Sequence, residues 1–102
     1  NEVYKLKDND KFIGYYSFII MNSKKVKLDN IFIDLEFIGR GYGKILMEHF
    51  FKQVKNKGLK KIYLNSDPHA EKFYLNLGFK VVGQLESSIK NRFLPIMELK
   101  IN

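Results

Sequence analysis

Residues 28–48 read LDNIFIDLEFIGRGYGKILME. The first part closes an apolar stretch, residues 26–37, that predicts a strand with Ile31, Phe32 and Ile33 at its centre. Three glycines follow at alternate positions, Gly39, Gly41 and Gly43, with Arg40 and Tyr42 between them and Lys44 after them. From Tyr42 to Lys57, Ile45, Leu46, Phe50 and Val54 fall at helical spacing, Met47 and Phe51 widen the stripe, and Gly58 is a natural stop. A strand thus runs through a glycine-rich turn into a helix. A helix start carries unpaired N–H groups and the positive end of the helix dipole, so it attracts anions. Glycines let such a backbone approach a ligand because no Cβ intervenes. The spacing excludes two phosphate loops. A P-loop needs Ser or Thr after its lysine, and here Ile45 follows Lys44; the dinucleotide fingerprint needs GxGxxG, and here the order is GxGxG. Taken alone, the turn also reads as a purely structural one.

Upstream, VYKLK (3–7) alternates as a strand does, and DNDK (8–11) is a turn cluster. FIGYYSFIIM (12–21) is apolar on both faces, which predicts a strand inside a sheet, and NSKK (22–25) is the next turn. Downstream, residues 59–66 predict a strand. Ala70, Phe73, Tyr74 and Leu77 mark a short helix ended by Gly78, with Ser66 or Asp67 as its cap. Residues 79–88 and 92–101 predict two more strands, and Pro95 predicts an edge or a bulge in the last. The order is β-β-β-α-β-α-β-β. The strand-helix-strand unit over 26–66 requires a crossover and hence one parallel pair. The fold class is α+β: a mixed, mostly antiparallel twisted sheet with helices packed on it.

Length and composition set the outer bounds. The 102 residues predict one domain, 1–102, and a 45% hydrophobic share supplies a core. The absence of Cys excludes disulfides, thiolate metal sites and cysteine nucleophiles. His49 and His69 lie far apart without partner ligands, so no metal site is expected. No apolar run reaches membrane-span length and no signal-peptide pattern opens the chain, so the expected location is cytoplasmic and no membrane partner is expected. The first residue is Asn rather than Met, which fits a fragment of a longer product. A net charge of +7 points either to an anionic partner or to lysine used simply as the solubilising residue.

Two blocks of the sequence, in order, resemble the GNAT superfamily of acyl-CoA-dependent N-acetyltransferases. Residues 28–48 resemble its strand, its Arg/Gln-x-x-Gly-x-Gly/Ala turn and its following helix. Residues 64–83, LNSDPHAEKFYLNLGFKVVG, resemble its Ala-x-x-Phe-Tyr helix and Gly-Phe ending. The resemblance covers roughly residues 12–101. It implies a GNAT-like domain lacking the usual N-terminal strand and helices, so the front of the acceptor pocket is absent, truncated or supplied elsewhere. Two positions depart from the pattern: Ile38 stands where Arg or Gln is usual, and Asp67 where an Asn often precedes the short helix.

The resemblance implies direct transfer of an acetyl group from acetyl-CoA, as co-substrate, to an amine of an unknown acceptor. The backbone of Gly39, Arg40, Gly41, Tyr42, Gly43 and Lys44 would hold the pyrophosphate. Ile31, Phe32 and Ile33 would pair with the pantetheine amides, in a gap that a bulge opens in family members, and Asn65 would bond the same arm. Asp29 matches the carboxylate that removes the amine proton; Glu36, nearer the loop, reads as solvent-facing. Tyr74 matches the hydroxyl that protonates the leaving thiolate, while Phe73 reads as core. The lysines at 52, 55, 57, 60 and 61 read as a solvated basic face rather than as a 3′-phosphate site. Two rival readings are acyl-CoA binding without turnover and a small basic nucleic-acid-binding module. The second is disfavoured, since the aromatics sit at core spacing and no base-reading motif occurs; no nucleic-acid partner is expected. A homodimer through residues 92–101 is the expected oligomer, if one forms.

Overall fold

In a computed structural model of the chain, residues 2–87 and 92–101 are described. Six strands form one sheet: β1 (Glu2–Asp8), β2 (Lys11–Ile20), β3 (Lys25–Ile33), β4 (Lys61–Asn65), β5 (Lys80–Glu86) and β6 (Phe93–Lys100), in the spatial order β1-β2-β3-β4-β6-β5. The β3–β4 pair is parallel and the others are antiparallel, as a single helical crossover requires. That crossover is α1 (Tyr42–Asn56); α2 (Glu71–Asn76) leads from β4 to β5.

Both helices share one core with the sheet. Tyr16, Phe18, Val26, Leu28, Ile62, Leu64 and Met97 project from the strands to meet Leu46, Met47, Phe50 and Val54 of α1 and Tyr74 of α2. Ile45, expected on the α1 stripe, is exposed instead, so the buried stripe begins at Leu46. On the opposite face of the sheet, Phe12, Tyr15 and Phe32 form a separate aromatic cluster.

Several boundaries differ from expectation for local reasons. The third strand ends at Ile33, because Asp34 accepts from Glu36 N and caps a short 3-10 turn, Leu35–Phe37. The apolar run 12–21 is buried only in its middle; Ile19, Ile20 and Met21 are exposed. Position 88, the last of the predicted fifth strand, lies outside the described residues. Pro95 is neither on an edge strand nor itself bulged, since β6 lies between β4 and β5. Its carbonyl accepts from Ser66 N at 2.8 Å, just past the end of β4. The N–H it lacks would point the same way, beyond the last ladder residue of β4, so the proline removes no strand bond there. Ile96, Met97 and Glu98 of β6 pair on both sides, with β4 and with β5, so the middle of the strand expected in a dimer has no free edge among the described residues.

Candidate active site

The parallel pairing of β3 with β4 covers only Lys25↔Lys61, Val26↔Ile62 and Lys27↔Tyr63. Beyond that point the two strands separate. The cause is legible in the pairing of β3 with β2, where Ser17 opposes Asn30 and Phe18 opposes Leu28. Asp29 is therefore an extra residue, a bulge that bends β3 away from β4. From Leu28 to Ile33 the β4-facing edge of β3 has no strand partner among the described residues, which leaves its amides and carbonyls available to an extended ligand.

Two clefts lie along this gap. One, of about 300 Å³, is lined by residues that include Asp29, Asn30, Ile31, Asn65, Asp67 and Tyr74. The other, of about 400 Å³, is lined by residues that include Ile33, Gly41, Tyr42, Gly43, Lys44 and Phe73. The expected site residues divide between them. Asp29, Ile31, Asn65 and Tyr74 border the first; Ile33, Gly39, Gly41, Tyr42, Gly43 and Lys44 border the second. Two fall outside both. The Arg40 guanidinium lies 5.6 Å from the Phe37 ring centroid, and the Phe32 side chain, 45% exposed, joins the aromatic cluster on the far face.

Around the second cleft the glycines have separate tasks. Gly39 and Gly41 adopt φ of 81° and 85°, a left-handed backbone that a side chain strains. Gly41 is the N-cap of α1 without a side-chain cap bond, and the first helical bond runs from Ile45 N to Gly41 O at 3.3 Å. The N–H groups of Tyr42, Gly43 and Lys44 are thus left at the cleft by the geometry of a helix start. Gly43 packs toward α2: a Cβ there would touch the Phe73 ring at 3.4 Å, and that ring borders the same cleft. Uncapped donors at a helix start, beside an open strand edge, fit a ligand with phosphates at one end and amides along its length.

In the first cleft, Tyr74 is buried at 5% exposure, and burial pushes its hydroxyl up to about 12. It is held by edge contacts with Phe73 and Phe79 at centroid distances of 5.2 and 5.6 Å. Asp29 accepts from Asn30 Nδ2 at 3.2 Å, and Asn30 Nδ2 also reaches Ser17 Oγ at 3.4 Å. Asp67 caps the 3-10 turn Pro68–Ala70 by accepting from His69 N at 2.8 Å, while the other expected cap, Ser66, donates to Asp67 O. The Asp67 carboxylate also faces the Arg92 guanidinium at 3.5 Å. Sequence reasoning missed Asn30 and Tyr63 as supports of this cleft. The i, i+2 spacing of Tyr63 and Asn65 on one strand face was the available signal.

The acetyltransferase (GNAT) domain family model matches residues 1–100. The chain is 30% identical over 92 residues to the peptidyl-lysine N-acetyltransferase YjaB of Salmonella typhimurium; the match covers 90% of this chain and 59% of that protein. The fold is shared with an aminoglycoside 6′-N-acetyltransferase complexed with coenzyme A, at TM-score 0.88 and 19% identity over 96% of this chain and 71% of the other. It is also shared with a GNAT family acetyltransferase from Elizabethkingia anophelis with acetyl-CoA bound, at TM-score 0.83 and 20% identity over 97% and 75% of the two chains. With the bulged strand, the glycine turn and the Tyr74 helix all in place, the chain belongs to the GNAT acetyltransferase domain family.

Proposed function

We propose that this domain transfers the acetyl group of acetyl-CoA directly to an amine. The observation that carries the reading is the single gap between β3 and β4, which joins the uncapped start of α1 to the cleft holding Asp29 and Tyr74. The N–H groups at the start of α1 bind the pyrophosphate, and the open edge of Leu28–Ile33 pairs with the pantetheine amides. The thioester supplies an activated acetyl carbon, and the amine nitrogen forms a new bond to it as the C–S bond breaks.

An alkyl amine, with an ordinary pKa near 10.4, arrives protonated and must first lose a proton. Asp29 takes that proton, directly or through water. Of the two carboxylates bordering the cleft, Asp67 is offset by Arg92, while Asp29 has no ion-pair partner among the described residues and favours an acceptor that arrives as an ammonium ion, of which a lysine side chain is one form. Tyr74, whose pKa burial raises from 10 to about 12, is protonated in the physiological range; it gives its proton to the departing thiolate and is reprotonated, through solvent, by the second proton that the nitrogen sheds as the amide forms. Asn65, whose Oδ1 accepts from the Tyr63 hydroxyl at 3.1 Å, turns its amide N–H groups to the arm.

The second reading, acyl-CoA binding without turnover, is favoured by Ile38, an apolar side chain 59% exposed on the phosphate cleft. One pair of measurements separates these readings. Acetyl-CoA raises the melting temperature in both, and free thiol release with a panel of amines occurs only in the first. No melting shift removes both. Among the described residues no helix is long and apolar enough to cross a membrane. A cytoplasmic domain is the reading we adopt, with any homodimer formed through the exposed edge of β5.

A further inference from the structure

The other end of the sheet, at the amino ends of β3 and β4, carries a different feature. The strand registers place Lys25 opposite Lys61 and Lys61 opposite Lys100. In the adjoining row, Lys27 opposes Tyr63, Tyr63 opposes Glu98, and Glu98 opposes Lys80. Like charges directly opposite on one sheet face repel and cost stability. Glu98 offsets part of this, reaching Lys25 at 3.6 Å and Lys61 at 3.7 Å. Among the described residues, Lys24, Lys60, Lys80 and Lys100 have no carboxylate within ion-pair distance.

These lysines surround two adjoining depressions of about 550 and 290 Å³ that share Lys61 and Lys100. Backbone bonds fix the floor. Lys24 O accepts from both Lys60 N and Lys61 N, and Lys60 O accepts from Ile101 N. Asn22 Oδ1 accepts from Lys24 N and Lys25 N, so its remaining hydrogen-bonding group, the amide NH₂, is a donor. Among the described residues, the larger depression, lined by Asn22, five lysines and Ile101, therefore has free side-chain donors and no free side-chain acceptor. Seven of the chain's 16 lysines gather at this one end of the sheet, which even dispersal for solubility does not explain.

We propose that this lysine cluster is a binding site for a small molecule carrying two or more phosphate groups, separate from the acetyl-CoA site. The cluster is about 13 Å from the acyl cleft, measured along β4 from Lys61 to Asn65 at the usual strand rise. Phosphates supply the dense array of acceptor oxygens that several ammonium groups need in a space of ligand size. A nucleic-acid strand fits less well. The one aromatic ring in the two rows, Tyr63, is covered by the Lys25 ammonium at 4.9 Å and offers no free face for a base.

The test uses inorganic tripolyphosphate at constant ionic strength, followed by calorimetry and melting temperature. The proposal expects saturable binding that raises the melting temperature and weakens at least 10-fold in the double variant Lys61→Gln/Lys100→Gln. That variant without ligand is expected to melt no lower than the parent, since it removes repulsion. Saturating coenzyme A, which fills the glycine turn in the acetyl-CoA reading, should leave tripolyphosphate binding at Lys61 and Lys100 unchanged, so failure here is distinguishable from failure of that reading. Equal binding of sulfate, or binding indifferent to the double variant, overturns the proposal. Tighter binding of a single-stranded oligothymidylate that depends on Lys61 and Lys100 overturns it in favour of a nucleic-acid surface.

Discussion

The Tyr63 hydroxyl donates to Asn65 Oδ1 at 3.1 Å, two residues away on the same face of β4. This bond uses the acceptor of the Asn65 amide and leaves its two N–H donors for the acyl cleft. Tyr63→Phe frees the amide to rotate. The expected result is a rise in KM for acetyl-CoA of about 3- to 10-fold, the worth of one net hydrogen bond, with kcat little changed. A fall in kcat with KM unchanged would place Tyr63 in the chemical step instead.

Tyr74→Phe removes one oxygen and keeps the ring against Phe73 and Phe79. Thiol release should slow by about 100-fold, the low end for general-acid help, because a thiolate already leaves readily. Acetyl-CoA binding, read by melting shift, should survive. An unchanged rate takes Tyr74 out of the acid role.

The same hydroxyl gives a pH signature. Its pKa is about 10 in the unfolded chain and about 12 when buried, so its contribution to stability is intact below pH 10 and is lost as the pH rises toward 12. Two pKa units correspond to about 2–3 kcal/mol. Tyr16 shifts the same way, raised by burial first and then by Tyr4 and Glu2. Denaturant unfolding between pH 9 and 12 should therefore show a steep loss of stability. The loss should be shallower, though still present, in Tyr74→Phe. Identical curves would refute the burial argument.

Asp29→Asn keeps the size of the side chain and removes the base. With an alkyl amine acceptor the rate at pH 7 should fall by about 100-fold. With a weakly basic aromatic amine, already neutral at that pH, the loss should be small. An equal loss on both acceptors would mean that Asp29 shapes the cleft rather than accepting a proton.

Gly41→Ala forces a side chain into a φ of 85°. A Cβ there meets nothing within 4 Å, so the effect comes from backbone strain alone, about 1 kcal/mol of stability. Relaxing that strain turns the uncapped N–H groups, and acetyl-CoA affinity should fall by more than the stability loss implies. Melting and ligand titration of one variant check both parts.

The order of elements was legible because hydrophobic period and glycine position are local properties. Leu46, Phe50 and Val54 declared α1, and the glycines at 39 and 41 declared its start. The end of β3 was not legible, since Leu35 and Phe37 continue an apolar pattern that the Asp34 cap interrupts. Pro95 misled for the opposite reason: its tolerance depends on where β4 stops, a tertiary fact. Asp29 and Tyr74, which border one cleft, were singled out through a family pattern. The bulge that separates β3 from β4, the Phe73 contact with Gly43 and the lysine rows depend on register, which no single strand reveals.

Asp29 occupies a position that the sheet itself does not need. Leu28 and Ile31 both face the helices although they are three positions apart, because one of the two intervening residues is surplus to the alternation. Removing residue 29 would therefore restore the alternation of this strand. The shortened strand would run straighter beside β4, extend the ladder as far as Asn65, where β4 ends, and narrow the cleft. By this logic the opening proposed to hold acetyl-CoA is a single-residue insertion in an otherwise regular strand, and a chain without it would be a better sheet with less of a cleft.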